Sequence, residues 1–404
     1  NTALAMLDCS DNDLTTLDVS QNTLLEELYC AGNRLNFATL PQAKTSYSDY
    51  SFAPQQNLVA TCTNGIVDLS SQLTAIGYIG TTEYKWFLAN NTELTNNYME
   101  EDGVFLFVTE PGTVVYCLMT NPAFPNLTLR TTDITIDAKA TLPEPSFTFV
   151  SANTEGNLSF GADNGMSTYI YIDWGDGVLV RGQVDANFMF YNSTTSYIAN
   201  NTVKVYARGD VYSLDLKKQQ ITALDVSKLT ELDYLDCSDN SLTTLDVSNS
   251  PELWALDCSS NNLGALDLSQ NTIIEELDCS TNGISSLNLS SNTILKVLNF
   301  SGNKISSINL SANGALTSLN ASSNQLNFAT LPQPKSSYTI YEYASQANFS
   351  ATCSNGVVDL SSQLMAVDKD GNTQTTVYTW FLADGTLLTK GTDYVEGNGM
   401  FYFT

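Results

Sequence analysis

The sequence predicts a mainly β chain in which stacked-coil solenoids alternate with β-sandwich modules, each kind of module being used twice. Three observations predict it. A short repeat of about 21 residues carries Leu and Asn in fixed register. A longer repeat contains the shorter one, and short Val-, Tyr-, Phe- and Trp-rich strands lie between turn signals.

Asn261, Asn271, Asn282, Asn292, Asn303, Asn313 and Asn324 recur in alternating steps of about ten and eleven residues. Every second one ends a frame such as Leu277-Asp278-Cys279-Ser280-Thr281-Asn282. The period and the register are the signature of a leucine-rich-repeat solenoid, whose repeated residues are committed to stacking. Leu232, Leu235, Leu253, Leu256, Ile274, Leu277, Leu298 and Leu319 form the expected core column. An inward Asn at the strand end can satisfy backbone groups of its own and neighbouring coils. Gln219, Leu229 and Ser250 stand where Asn is expected, which predicts looser early coils or coils braced by the preceding segment. The alternation of Leu-x-x-Leu-x-Cys-x-x-Asn-x-Leu with Leu-Asp-Val-Ser-x-Asn resembles the leucine-rich repeats of secreted bacterial proteins. It looks closest to Bacteroidetes surface proteins and is more distantly similar to internalins. The resemblance covers residues 1–36 and 212–333.

The larger repeat shows in Leu35-Asn36-Phe37-Ala38-Thr39-Leu40-Pro41, which recurs as Leu326-Asn327-Phe328-Ala329-Thr330-Leu331-Pro332. Asp68-Leu69-Ser70-Ser71-Gln72-Leu73 recurs in step at Asp359–Leu364, and Tyr84-Lys85-Trp86-Phe87 returns a little further on as Tyr378-Thr379-Trp380-Phe381. That extra shift predicts a lengthened loop in the second copy. Strands are expected at 65–69, 84–88, 104–108, 114–118 and 128–136. The order Cys62, Trp86, Cys117 resembles Ig-like domains, although Cys62 precedes the strand that would carry it and Tyr116 directly precedes Cys117. Asp173-Trp174-Gly175-Asp176-Gly177 resembles the turn of PKD-like domains. The predicted organisation is therefore the end of a first solenoid at 1–36 and an Ig-like sandwich at 37–141. A PKD-like segment at 142–211 caps the next solenoid at 212–333, and a partial second Ig-like domain occupies 334–404. That last module ends before any counterpart of 114–136, so its missing strands are expected from elsewhere, in a longer chain or another molecule.

Composition narrows the function. Sixteen basic against 43 acidic residues give a net charge of −27, which disfavours nucleic acid and anionic membranes as partners. The chain has no histidine, which removes Ser-His-Asp and Cys-His catalysis, His-ligated zinc and most neutral-pH proton transfer. Paired carboxylates remain, but nothing separates a pair from the Asp rows of the repeat. Cys9, Cys30, Cys237, Cys258 and Cys279 share one inward coil position, later taken by Phe300 and Ala321, and read as buried free thiols. Cys62 and Cys117 are expected to form a disulfide in an exported protein, with Cys353 the counterpart of Cys62.

The residues flanking the inward Leu of each strand face the concave side. They include Asp233, Tyr234 and Asp236; Trp254 and Asp257; and Glu275, Glu276 and Asp278. Asp236, Asp257 and Asp278 should form a column spaced by about 5 Å, whose mutual repulsion a cationic protein segment or Ca²⁺ would relieve. A solvated carboxylate row is the plainer reading. Exposed Trp254 beside Tyr234 favours a contact surface for a protein or a glycan. Asp173 and Asp176 are a second candidate Ca²⁺ pair, with a structural turn the alternative. No other cofactor is expected. The sequence thus predicts a non-catalytic, exported cell-surface binder in the cell envelope. The alternatives are a stalk or filament subunit assembling by shared strands, and an accessory subunit of an outer-membrane nutrient-uptake complex.

Overall fold

A computed structural model describes the chain except for residues 76–80, 154–158, 164–169, 183–188, 193–198, 208, 349, 368–371 and 404. The molecule is almost entirely β, with two single-turn 3₁₀ helices at Ser70–Gln72 and Ser361–Gln363 among the described residues. It forms two compact units. The first holds Asn1–Glu144, Tyr171–Asp173 and Gly177–Gly182, and the second holds Pro145–Ile170, Trp174–Asp176 and Gln183–Thr404.

In the second unit the expected solenoid is present. Ser213–Asp215, Tyr234–Asp236, Ala255–Asp257, Glu276–Asp278, Val297–Asn299, Ser318–Asn320 and Ile340–Glu342 pair in parallel, each directly in register with the next. Each strand is only three residues long because a polar turn closes it. The Asp or Asn after the inward Leu accepts the amide two residues on, as Asp257 Oδ1 does from Ser259 N at 2.9 Å. A second turn of the same kind closes the far side of each coil, as at Asp246 and Ser248. Leu235, Leu256, Leu277, Leu298 and Leu319 are buried in one column, and Cys237, Cys258, Cys279, Phe300 and Ala321 in another.

Two Asn ladders tie the coils together. In the first, Asn261 donates to the carbonyls of Cys237, Cys258 and Ser259 and accepts from Leu242 N, and Asn282, Asn303 and Asn324 repeat the pattern. In the second, Asn292 donates to Leu268 O and Asn271 O of the preceding coil at 3.1 and 2.8 Å. The Oδ1 atoms of Asn271, Asn292 and Asn313 are buried without a partner. The early coils that lack Asn are braced from outside, as expected. Phe147–Ser151 pairs antiparallel with Ile221–Asp225, and Ser151 Oγ donates to Gln219 O. Ser250 Oγ replaces the missing amide by donating to Leu229 O at 2.8 Å. The backbone of Ser159–Asp163 pairs antiparallel with the edge strand Ser213–Asp215, and Met189–Asn192 pairs with Ser159–Asp163 in turn.

The solenoids run further than the sequence frame does. Asp49–Ser51 extends the first ladder, pairing with Glu27–Tyr29, and Ile340–Glu342 extends the second. The expected boundaries at 36/37 and 333/334 therefore fall inside a final coil. Repeat chemistry changes there: Gln55 and Gln346 take the ladder role of Asn, and Tyr50 and Tyr341 stand at the inward Leu position.

The first unit continues into two antiparallel sheets. One runs Thr128–Arg130, Val114–Thr120, Glu83–Leu88, Glu93–Leu94, with Ile134–Thr135 also on Val114–Thr120. The other runs Ile66–Asp68, Val104–Phe107, Tyr98–Glu101. Fully buried Trp86 on the first meets Phe105 and Phe107 of the second at ring-centroid distances of 5.0 and 4.8 Å, which makes the pair a sandwich. The five expected strands are all present, the last split into two, and Glu93–Leu94 and Tyr98–Glu101 are additional. The second copy is longer between Leu364 and Thr376, where Met365–Val367 pairs with Thr373–Thr375, whereas the first copy has a bridge between Thr74 and Thr81.

The disulfide expected between Cys62 and Cys117 is not formed, and both thiols are free. Cys62 lies in the turn before its strand and donates from Sγ to Asp137 Oδ1 at 3.2 Å, whereas Cys117 is buried mid-strand opposite Trp86. The same displacement of Cys62 from the strand is visible in the sequence.

The ladders differ in what they leave unpaired, and that sets their relative worth. Asn303→Ala strips a donor from three carbonyls and an acceptor from Ile284 N, costing about 3 kcal/mol. Asn292→Ala loses two donated bonds but also removes an orphaned oxygen, costing about 1–2 kcal/mol. Equilibrium denaturant unfolding of both variants checks the order.

Candidate functional site

Parallel register turns the outward residues into columns about 4.8 Å apart along the solenoid. One column reads Ser213, Tyr234, Ala255, Glu276, Val297, Ser318, Ile340, and another reads Asp215, Asp236, Asp257, Asp278, Asn299, Asn320, Glu342. Asp233, Trp254 and Glu275 directly precede three of these strands. The structure therefore brings the predicted residues onto consecutive coils.

The carboxylates in that column are not equivalent. Asp236 is only 6% exposed and was expected on the surface. Lys217 Nζ lies 2.8 Å from Asp215 Oδ2 and 3.5 Å from Asp236 Oδ2, and Ser238 donates to Asp236 from both its amide and its hydroxyl. Burial without those partners would be costly. At the other end Asn299 Nδ2 donates to Asp278 Oδ2 at 2.8 Å, and Lys296 pairs with Glu275 at 2.7 Å. Sequence reasoning misses Lys217, yet the signal is present: later coils place Ser238, Ser259 and Ser280 at that position.

Asp257 sits between these compensated carboxylates, and among the described residues no cation pairs with it. It is half-buried and accepts from Ser259, whose amide lies 2.9 Å from Oδ1. Burial foremost, and then the fields of Asp278 and Asp236 working against the Ser259 hydrogen bond, lift its carboxyl above the ordinary aspartate range. Beside it Trp254 is 40% exposed, with its ring centroid 6.4 Å from that of Tyr234. Ala255 is the smallest apolar side chain of its column and is buried, so the aromatic pair borders a step down in the surface. Glu276 is exposed. The arrangement can accept a positive charge over an aromatic rim, a cation–π and ion-pair geometry.

The turn carrying Asp173 is closed by its own carboxylate, which accepts Gly177 N at 3.0 Å. Among the described residues no group of three or more Asp, Glu or Cys is placed to hold a metal ion, Asp176 included. No helix among them is long and apolar enough to cross a membrane. Cys237, Cys258 and Cys279 are stacked, buried and free, and burial raises all three thiols well above the ordinary cysteine value.

This geometry defines a solenoid of stacked β coils whose strand-bearing face carries the most varied side chains. No protein-family model and no curated protein matches the chain. Among solved structures it is similar to the functional domain of InlJ from Listeria monocytogenes, described as including a cysteine ladder. The match has 16% identity and a TM-score of 0.28, covering 100% of this chain and 75% of that one.

Two outcomes follow from these environments. Because the folded state binds the Asp257 proton more tightly than the unfolded chain does, ionising it costs stability above its raised pKa and costs nothing below the ordinary value of about 4. Asp257→Asn therefore raises Tm at pH 7, and the gain vanishes at pH 3.5 in thermal scans. Iodoacetamide on the native protein, read by peptide mass spectrometry, labels exposed Cys353 and leaves Cys237, Cys258 and Cys279 unmodified.

Proposed function

We propose that this is a non-catalytic, exported cell-surface protein that captures another macromolecule on the concave face of its second solenoid. The sandwich-type domains, read as Ig-like and PKD-like modules, space and cap that surface. The observation that carries the proposal is the uncompensated Asp257 carboxylate beside exposed Trp254 and Tyr234. Every other Asp of its column has a side-chain cation or a side-chain amide on it, whereas Asp257 is held by Ser259, so among the described residues its coil keeps the most unused attraction for a positive group. A protein segment presenting Lys or Arg fits that combination, with aromatic area supplying contact energy. The net charge of −27 adds long-range attraction for such a partner.

A pull-down from a basic peptide library tests it. Trp254→Ala and Asp257→Lys should each weaken captured peptides by about tenfold or more while leaving the folded structure intact. Capture should fall steeply with added salt. Retention of neutral glycans in place of peptides, lost on Trp254→Ala but untouched by Asp257→Lys, would move the assignment to carbohydrate.

A further inference from the structure

One outward column of the second solenoid alternates in character from coil to coil. It reads Ala255, Glu276, Val297, Ser318, Ile340, apolar and polar by turns, each directly in register with the next. Ala255 is buried, Val297 is half-buried and Ile340 is exposed. The apolar positions therefore recur every two coils, about 9.6 Å apart at a ladder spacing of about 4.8 Å. In the first solenoid the corresponding column reads Met6, Glu27, Asp49 and does not return to an apolar residue.

A polypeptide lying along the solenoid axis can use all three positions only if its own repeat matches them. An extended strand returns a side chain to one face every two residues, about 6.7 Å, which fits neither one coil nor two. An α-helix returns after seven residues, about 10.5 Å, and drifts by about 1.8 Å between Ala255 and Ile340. Polyproline II returns after three residues, about 9.3 Å, and drifts by about 0.6 Å over the same span. Its solvated backbone needs no hydrogen bond from strands already paired on both sides. At the Ala255 end the step is bounded by Tyr234 and Glu276 within the column, by Trp254 before it and by Asp257 on the same face. A guanidinium suits that corner, being flat enough to stack on a ring and weakly hydrated enough to meet a half-buried carboxylate.

We propose that this face takes a polyproline II segment along the solenoid axis, with an Arg over Ala255 and apolar residues at the third and sixth positions from it over Val297 and Ile340. The proposal rests on the reading of this face as a capture surface for a basic segment, and adds the conformation and spacing of what is captured.

The test uses the whole chain and labelled peptides of identical composition, read by fluorescence anisotropy. Arg-Pro-Pro-Leu-Pro-Pro-Leu is in register with the column, and Arg-Pro-Leu-Pro-Pro-Leu-Pro is out by one residue. Each is made in both chain directions, and the tighter direction is compared. The in-register peptide is expected to bind at one per chain and about tenfold or more tightly than the other. Ile340→Asp and Val297→Asp should each remove most of that advantage while leaving the weaker peptide unchanged. Ile340 is 49% exposed, so its substitution leaves the fold intact, which far-UV circular dichroism verifies. Lys in place of Arg should weaken the in-register peptide severalfold. Equal binding of the two registers, both lost on Asp257→Lys, overturns this proposal and leaves capture of basic segments standing. Absence of binding by every peptide overturns both.

Discussion

The constraint on which the rest depends is the pairing of Asn amides with main-chain carbonyls between consecutive coils. A chain that turns twice in every 21 residues or so exposes carbonyls that no ladder of three-residue strands can satisfy. The side chains of Asn261, Asn282, Asn303 and Asn324 meet that need from within, each bridging its own coil and the one before. With the carbonyls satisfied, the apolar columns can close into a dry core, and the outer face keeps only its turn-closing Asp and Asn fixed. The outer surface is variable because the interior is not.

Much of this could be read from the residues. The coil period, the inward columns and the free solenoid thiols follow from repeat spacing and pattern. What was not legible shares one cause: it depends on contacts between non-repeating residues. Asp236 looks like Asp257 in sequence, but Lys217 reaches it from the coil before. The final coil of each solenoid escaped the frame because Tyr replaces Leu and Gln replaces Asn, substitutions that conserve burial and hydrogen bonding without conserving the motif. Cys62 and Cys117 count as a pair only until their turn and strand positions are known.

Identical side chains thus acquire different chemistry from their place in the stack. Asp215 and Asp236 share an ammonium, Asp278 has the Asn299 side-chain amide, and Asp257 has Ser259. The same logic separates the two Asn ladders. One uses every polar atom of its amide, while the other leaves an oxygen buried and unpaired in each of three coils.

One further consequence concerns how such a chain can change length. Because the joints of the central coils repeat the same bonds, a whole central coil can be gained or lost without disturbing the interior. The charge along the face has no such freedom. Lys217 stands at a single coil and reaches only Asp215 and Asp236, so duplicating an Asp-bearing coil adds a carboxylate beyond its reach. The change from Asp278 to Asn299 and Asn320 ends that run with a neutral side chain. Coil number is therefore limited by electrostatics at the surface before it is limited by packing inside.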